Sequence, residues 1–176
     1  MMLVQESAMT LVDYSQKARW GVRGSEAQSW LQSQALTHSG TPNRIEALSN
    51  GRWLMALSKR EFWVLEPSRA ADINSMNAGA LAPGVWPLFC QHSHAWFVLE
   101  GAHKADTMAK VCGVNLQPAV FPEGMVAQTQ VARVNAIVAH HRLNTDTSAF
   151  SLFCDSAAAS YFEDVLLDAI GEYNNA

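Results

Sequence analysis

Arg19-Trp20-Gly21-Val22-Arg23-Gly24, followed by Ser25-Glu26-Ala27-Gln28-Ser29-Trp30-Leu31, has a counterpart later in the chain. That counterpart is Ala95-Trp96-Phe97-Val98-Leu99-Glu100-Gly101, followed by Ala102 through Val111. Each stretch reads as a short strand that stops at a glycine and gives way to a helix. Ala27, Trp30, Leu31 and Gln34 share one face of the first helix, and Ala105, Met108, Ala109 and Cys112 share one face of the second, because positions three and four apart stack on one side of a 3.6-residue helix. Ser25, with Gln28 three residues on, has the spacing of a capping box. Gly113 has the place of a residue that closes the second helix. Gly24 and Gly101 let the chain turn sharply from strand to helix.

Working outward, the repeat continues. After a proline-containing loop (Pro42; Pro118 and Pro122) each half offers three strands: Ile45–Leu48, Arg52–Leu57 and Glu61–Leu65, then Val126–Arg133, Ala136–His140 and Ala149–Cys154. Asn50-Gly51 is a two-residue hairpin signal, since both positions tolerate positive φ. Asn135 is placed in or beside the turn of the second hairpin. A helix closes each half, over Ser68–Asn77 and Ser156–Ile170. In the latter Ala159, Phe162, Val165, Leu166 and Ala169 form an apolar stripe, with Glu163, Asp164 and Asp168 largely off it. The expectation is an α+β protein of two similar β-α-β-β-β-α halves packed together, over residues 1–77 and 92–176, with 78–91 as an ordered connector broken by Pro83 and Pro87. Two helices cover one face of each sheet. The other face must be buried, and the sister half is the natural cover.

Composition sets the class. The chain has 176 residues, 49% hydrophobic and 16% charged, with a net charge of −4. These values exclude a disordered chain, a collagenous repeat and a small disulfide scaffold. No basic stripe is present to neutralise phosphates, which argues against a dedicated nucleic-acid binder. Three cysteines, Cys90, Cys112 and Cys154, without a C-x-x-C pair fit a reducing, cytoplasmic setting. The segment Met1-Met2-Leu3-Val4-Gln5-Glu6 lacks a cationic region and an apolar core, so no secretory signal is expected. No apolar run is long enough to predict a membrane span.

Reactive constellations are sparse. No G-x-S-x-G elbow occurs, and Cys112 and Cys154 fall on apolar faces, which suits inert packing. His92 and His94 form an H-x-H pair that would point both rings to one side of a strand, whereas His140 and His141 would point to opposite sides. Neither pair has the further ligands that a zinc site needs, and no metal is expected. Gly21-Val22-Arg23-Gly24 is too short to be a phosphate loop. Glu61, Glu66, Glu100 and Glu123 are scattered across elements and read as solvated surface groups, so no catalytic residue is assigned. Trp20, Trp53, Trp63 and Trp96 lie in strands and read as core. Trp86, between Gly84 and Pro87 in the connector, is the candidate anchor of a partner interface.

Ser93-His94-Ala95-Trp96-Phe97-Val98-Leu99-Glu100-Gly101 and the run Phe121-Pro122-Glu123-Gly124-Met125-Val126-Ala127-Gln128-Thr129-Gln130-Val131-Ala132-Arg133-Val134 resemble the gamma subunits of heterotetrameric sarcosine oxidase. The resemblance spans roughly residues 18 to 172. It implies a fold like the folate-binding part of the glycine-cleavage T-protein. It also implies a cytoplasmic complex that oxidatively demethylates sarcosine to glycine and passes the one-carbon unit to tetrahydrofolate. That complex would use FAD, FMN, NAD and tetrahydrofolate, with flavin and NAD chemistry in the large subunits and no cofactor bound by this chain alone. The implied partners are a large alpha-type subunit together with beta and delta subunits. No catalytic residue is assigned to gamma subunits, so none is carried over. The alternative is a stand-alone folate-binding or aminomethyltransferase-like module, although the Lys-Gly-Cys motif of the repair-type relatives is absent. A homo-oligomer of the isolated chain is a third possibility.

Overall fold

The computed structural model describes residues 8–71, 81–143 and 147–174. In chain order its elements are β1 (Thr10–Asp13), β2 (Lys17–Arg23), α1 (Ala27–Ser33), β3 (Arg44–Ala47), β4 (Trp53–Ser58), β5 (Glu61–Ala70), β6 (Trp86–Leu88), α2 (Cys90–Ser93), β7 (His94–Glu100), α3 (Lys104–Ala109), β8 (Val126–Val131), β9 (Val134–Arg142), β10 (Ser148–Asp155) and α4 (Ala159–Asn174). The strands form two five-stranded antiparallel sheets, in the orders β3-β4-β5-β2-β6 and β8-β9-β10-β7-β1. Without the last strand of each, the two orders are the same. The duplication is therefore real: a strand, a helix and a three-strand meander whose last strand returns beside the first.

The fifth strands are exchanged. β1 precedes the first unit but pairs with β7 of the second, with Leu11 opposite Leu99. β6 precedes the second unit but pairs with β2 of the first, with Val22 opposite Pro87. Each unit lends its leading strand to the other sheet, which locks the two together. Neither strand was expected from sequence; both are too short to show a period.

Both faces of each sheet are buried, so the strands read as continuous apolar runs. The period of two nevertheless sorts their side chains into separate cores. On β4 and β5, Leu54, Ala56, Phe62 and Val64 pack under α1 with Trp30 and Leu31. Met55, Leu57, Trp63 and Leu65 point the other way and meet Trp96, Val98, Ile137 and Phe153 of the second sheet. On β7 and β10, Phe97, Leu99, Phe150 and Leu152 pack under α3 and α4 against Met108, Phe162 and Leu166. The layers therefore run helix, sheet, sheet, helices, and the sister half does cover the bare face. Along one side the sheets are also stitched by backbone, with Ile45 N–H donating to Gly124 O at 3.0 Å and Val126 N–H to Asn43 O at 3.0 Å.

Local departures have local causes. Ser25 does not cap α1: its N-cap is Glu26, without a side-chain bond, and the connector's Gly84 carbonyl accepts the Glu26 N–H instead. Gln34 and Ala109 are exposed rather than on the buried helix faces. α3 ends at Ala109, and Gly113 lies beyond its end without a left-handed φ, so it closes nothing. β5 continues through Ala70, so Ser68 to Ala70 are strand rather than helix. The rest of the helix expected over Ser68–Asn77 falls outside the described residues, apart from Ala71. Asn50 and Gly51 both adopt positive φ at the expected hairpin. The second hairpin turns earlier than expected, at Ala132-Arg133, both left-handed, which leaves Asn135 inside β9. That turn is held from outside: Ala132 N–H donates to Val111 O at 2.8 Å, and the Tyr161 hydroxyl donates to Ala132 O at 3.0 Å.

Candidate functional site

The polar interior is organised first by Arg19, a fully buried cation on β2. Its guanidinium donates to the carbonyls of Ser15 and Lys17, each at 3.2 Å, to Gln91 O at 3.3 Å and to His94 O. Its face lies 5.9 Å from the Trp96 ring. Gln91 completes the knot by accepting the Arg19 N–H at 2.9 Å and donating to Ser15 O at 3.1 Å. Arg19 thus ties together the β1–β2 turn, the connector and the start of β7, the places where strands change sheets. Cys90 lies beside it, buried, and burial pushes its thiol up to about 12, so it stays protonated and inert.

A second polar group lies between the sheets. Trp96 Nε1 donates to Ser151 Oγ at 2.9 Å, and Ser151 Oγ lies 2.7 Å from His141 Nε2. An indole N–H can only donate, so Ser151 accepts from Trp96 and shares a second hydrogen bond with His141. His141 is neutral at ordinary pH. Burial, with His140 nearby, pulls its pKa down to about 3. The ring meets Trp53 edge-on at 4.8 Å. His140 points to the opposite face, as expected, with Nδ1 2.7 Å from Phe121 O and its ring against Phe150. Both are hydrogen-bonded core histidines. His92 belongs to α2 and His94 opens β7, so the H-x-H pair does not share a strand face. Among the described residues no cluster of His, Cys, Asp or Glu could hold a metal ion.

A cavity of about 660 Å³ opens at the β8–β9 end of the second sheet, lined by His94, Gln128, Gln130, Asn135, Ile137 and Phe153 among others. Gln128 spans to the first sheet beside it, donating to Leu57 O and Asn43 Oδ1, both at 2.8 Å. His94 meets Trp63 edge-on at 4.9 Å, and burial lowers its pKa, which favours a neutral ring. The lining offers amides, an imidazole and an aromatic floor, with no carboxylate and no Lys or Arg. It can hold a neutral polar molecule by hydrogen bonds and stacking, but its walls contain no acid–base pair.

Trp86 stands apart, on β6 at the open edge of the first sheet, and is 59% exposed. Three residues on, Phe89 is 58% exposed. A Cβ on Gly24 would lie 3.1 Å from Trp86 Cε3, so the indole rests over the first strand–glycine–helix turn and turns its other side to solvent. Trp63 and Trp96 are buried as expected, while Trp20 and Trp53 are half-buried. Of the scattered carboxylates, Glu66 pairs with Arg69 and Glu123 with Arg142. Sequence reasoning did not single out Arg19, Ser151 or Phe89. For Phe89 a signal existed: an aromatic residue in the same proline-bounded connector as Trp86.

No protein-family model and no curated protein sequence matches the chain. Among solved structures, a chain of the heterotetrameric sarcosine oxidase from Corynebacterium sp. U-96, in complex with pyrrole 2-carboxylate, superposes with a TM-score of 0.78 at 17% identity. The match covers 99% of this chain and 89% of that one. The glycine cleavage system aminomethyltransferase T from Bartonella henselae superposes with a TM-score of 0.57 at 17% identity, covering 92% of this chain and 46% of that one. The chain spans about half the length of that aminomethyltransferase. Its fold is related to that of the T-protein.

Proposed function

We propose that this chain is a non-catalytic, gamma-type accessory subunit of a heterotetrameric sarcosine oxidase, docking on a larger subunit of the complex. In that role it belongs to an assembly that demethylates sarcosine to glycine and passes the one-carbon unit to tetrahydrofolate. The FAD, FMN and NAD of such a complex would reside in other subunits. The observation that supports this reading is the extent of the likeness. The match to the oxidase chain runs nearly end to end in both molecules, whereas the match to the aminomethyltransferase leaves more than half of that enzyme without a counterpart. The exposed Trp86 and Phe89 are consistent with it, since aromatic anchors recur at interfaces. Co-expression with the other subunits of a heterotetrameric sarcosine oxidase, followed by size-exclusion chromatography, tests the proposal. A stable complex containing this chain is expected, and a monodisperse monomer that never co-elutes with them refutes it.

The second reading, a stand-alone folate-binding module, is favoured by the 660 Å³ cavity beside the junction of the sheets. It is disfavoured by the lack of a carboxylate in that lining to pair with a pterin. Calorimetry of the isolated chain with tetrahydrofolate separates the two readings: micromolar binding replaces the first with the second.

A further inference from the structure

We infer that the β6 edge of the first sheet is the docking face, and that it receives an acidic strip of a protein partner around the Trp86 and Phe89 anchors. The inference deepens the accessory-subunit reading and rests on it for the identity of the partner. It starts from register. Trp86 lies opposite Arg23, Arg23 opposite Glu61, and Glu61 opposite Ser58, so these four form one row across the end of the sheet. Directly opposed residues of neighbouring strands have Cβ atoms about 5 Å apart. The β4–β5 turn at the end of this row is Lys59-Arg60, both exposed, and Gly24 N–H donates to Arg60 O at 2.8 Å, which holds the turn beside the glycine under Trp86. Arg23 is exposed as well. Among the described residues Arg23, Lys59 and Arg60 make no ion pair, in a chain whose net charge is −4. The nearby acids are Glu61, half-buried in the row, and Glu26, exposed beside Gly84.

Two features choose the occupant. Three unpaired cations around an exposed indole call for carboxylates, and the exposed Trp86 and Phe89 need more apolar cover than a small anion provides. Buried Trp with Arg at its side is the usual composition of an interface centre. Three cations in an acidic chain are too few to grip a nucleic-acid backbone. Pro87, at the centre of the three-residue β6, has no N–H to offer an added strand, so the edge is blunted against β-augmentation and the partner docks through side chains.

The test compares the wild-type chain with R23E/K59E/R60E and with W86A, all exposed positions, and confirms folding of each by circular dichroism. One arm measures binding to immobilised poly-L-glutamate and to a double-stranded oligonucleotide over a salt series. The other measures assembly with the co-expressed oxidase subunits. Poly-L-glutamate binding that the triple variant loses, together with at least tenfold weaker assembly in both variants, is the expected result. Assembly within twofold of wild type in both variants overturns the docking face while the accessory role stands. If the wild type forms no complex but poly-L-glutamate binding depends on the three cations, the accessory role fails and the acidic-partner chemistry holds. Tighter binding to the oligonucleotide than to poly-L-glutamate, or light scattering showing a dimer that W86A dissolves, replaces the partner protein with nucleic acid or a second copy and overturns the inference.

Discussion

Acidification should unfold this protein through His141, and the size of the effect follows from where the ring lies. In the folded chain the imidazole is sealed between the sheets, 1% exposed, hydrogen-bonded to Ser151, and burial holds its pKa at about 3 against an ordinary value of 6.5. The unfolded chain takes up the proton as pH falls through 6.5, and the folded chain refuses it until near 3. Stability is thus fully present above pH 6.5 and is lost progressively toward pH 3. One pH unit inside that window is worth about 1.4 kcal/mol, so the loss by pH 5 is about 2 kcal/mol. His94 and His140 are also depressed by burial and act in the same direction, so the wild-type slope alone does not isolate His141. His141→Gln does, because a side-chain amide can still hydrogen-bond Ser151 without titrating. Urea unfolding at pH 7, 6 and 5 should show the wild type losing about 2 kcal/mol more than the variant between pH 7 and pH 5. H141Q will itself be less stable at pH 7; the difference in slope is the result that counts. Parallel stability curves for the two proteins would refute the reasoning.

Arg19→Met should cost about 3 kcal/mol, since it leaves four part-buried carbonyls short of a donor, and Arg19→Lys should recover only part because an ammonium cannot span them; urea unfolding measures both. At the left-handed Arg133, glycine should raise stability by about 0.5 kcal/mol and valine lower it by about 1 kcal/mol or more, because a β-branched side chain resists positive φ. Melting temperatures that rank valine above glycine would contradict the turn geometry.

The parts of the fold legible in the residues are those governed by neighbours along the chain. The strand–glycine–helix repeat was readable because Gly24 and Gly101 end apolar strands just where a helical phase begins, and both hold positive φ. Asn50-Gly51 declared its hairpin by backbone tolerance alone. The α4 stripe through Phe162, Leu166 and Ala169 declared its buried face by periodicity. The expected turn at Asn135 was misplaced because Ala132 and Arg133 have no turn preference of their own; Val111 and Tyr161 hold them there. Trp86 was legible as a surface aromatic only because of the prolines in the connector, while its cationic neighbours arrive from β2 and from the β4–β5 turn.

What the chain's own order of residues determined is the duplicated unit, its local turns and the two-faced apolar strands that require covering on both sides. What only the tertiary structure decided is which strand sits beside which, and so where polar groups end up. β1 and β6 are too short to carry a pattern, and their exchange is settled by the open edges of β7 and β2. Arg19 looks like an ordinary strand cation until the carbonyls of Gln91 and His94, 72 and 75 residues away, close around it. His141 is a neutral core residue only because Ser151 and Trp96 arrive from other strands to meet it. Hydrogen bonds of this range depend on non-local pairing, which no periodicity along a single strand encodes.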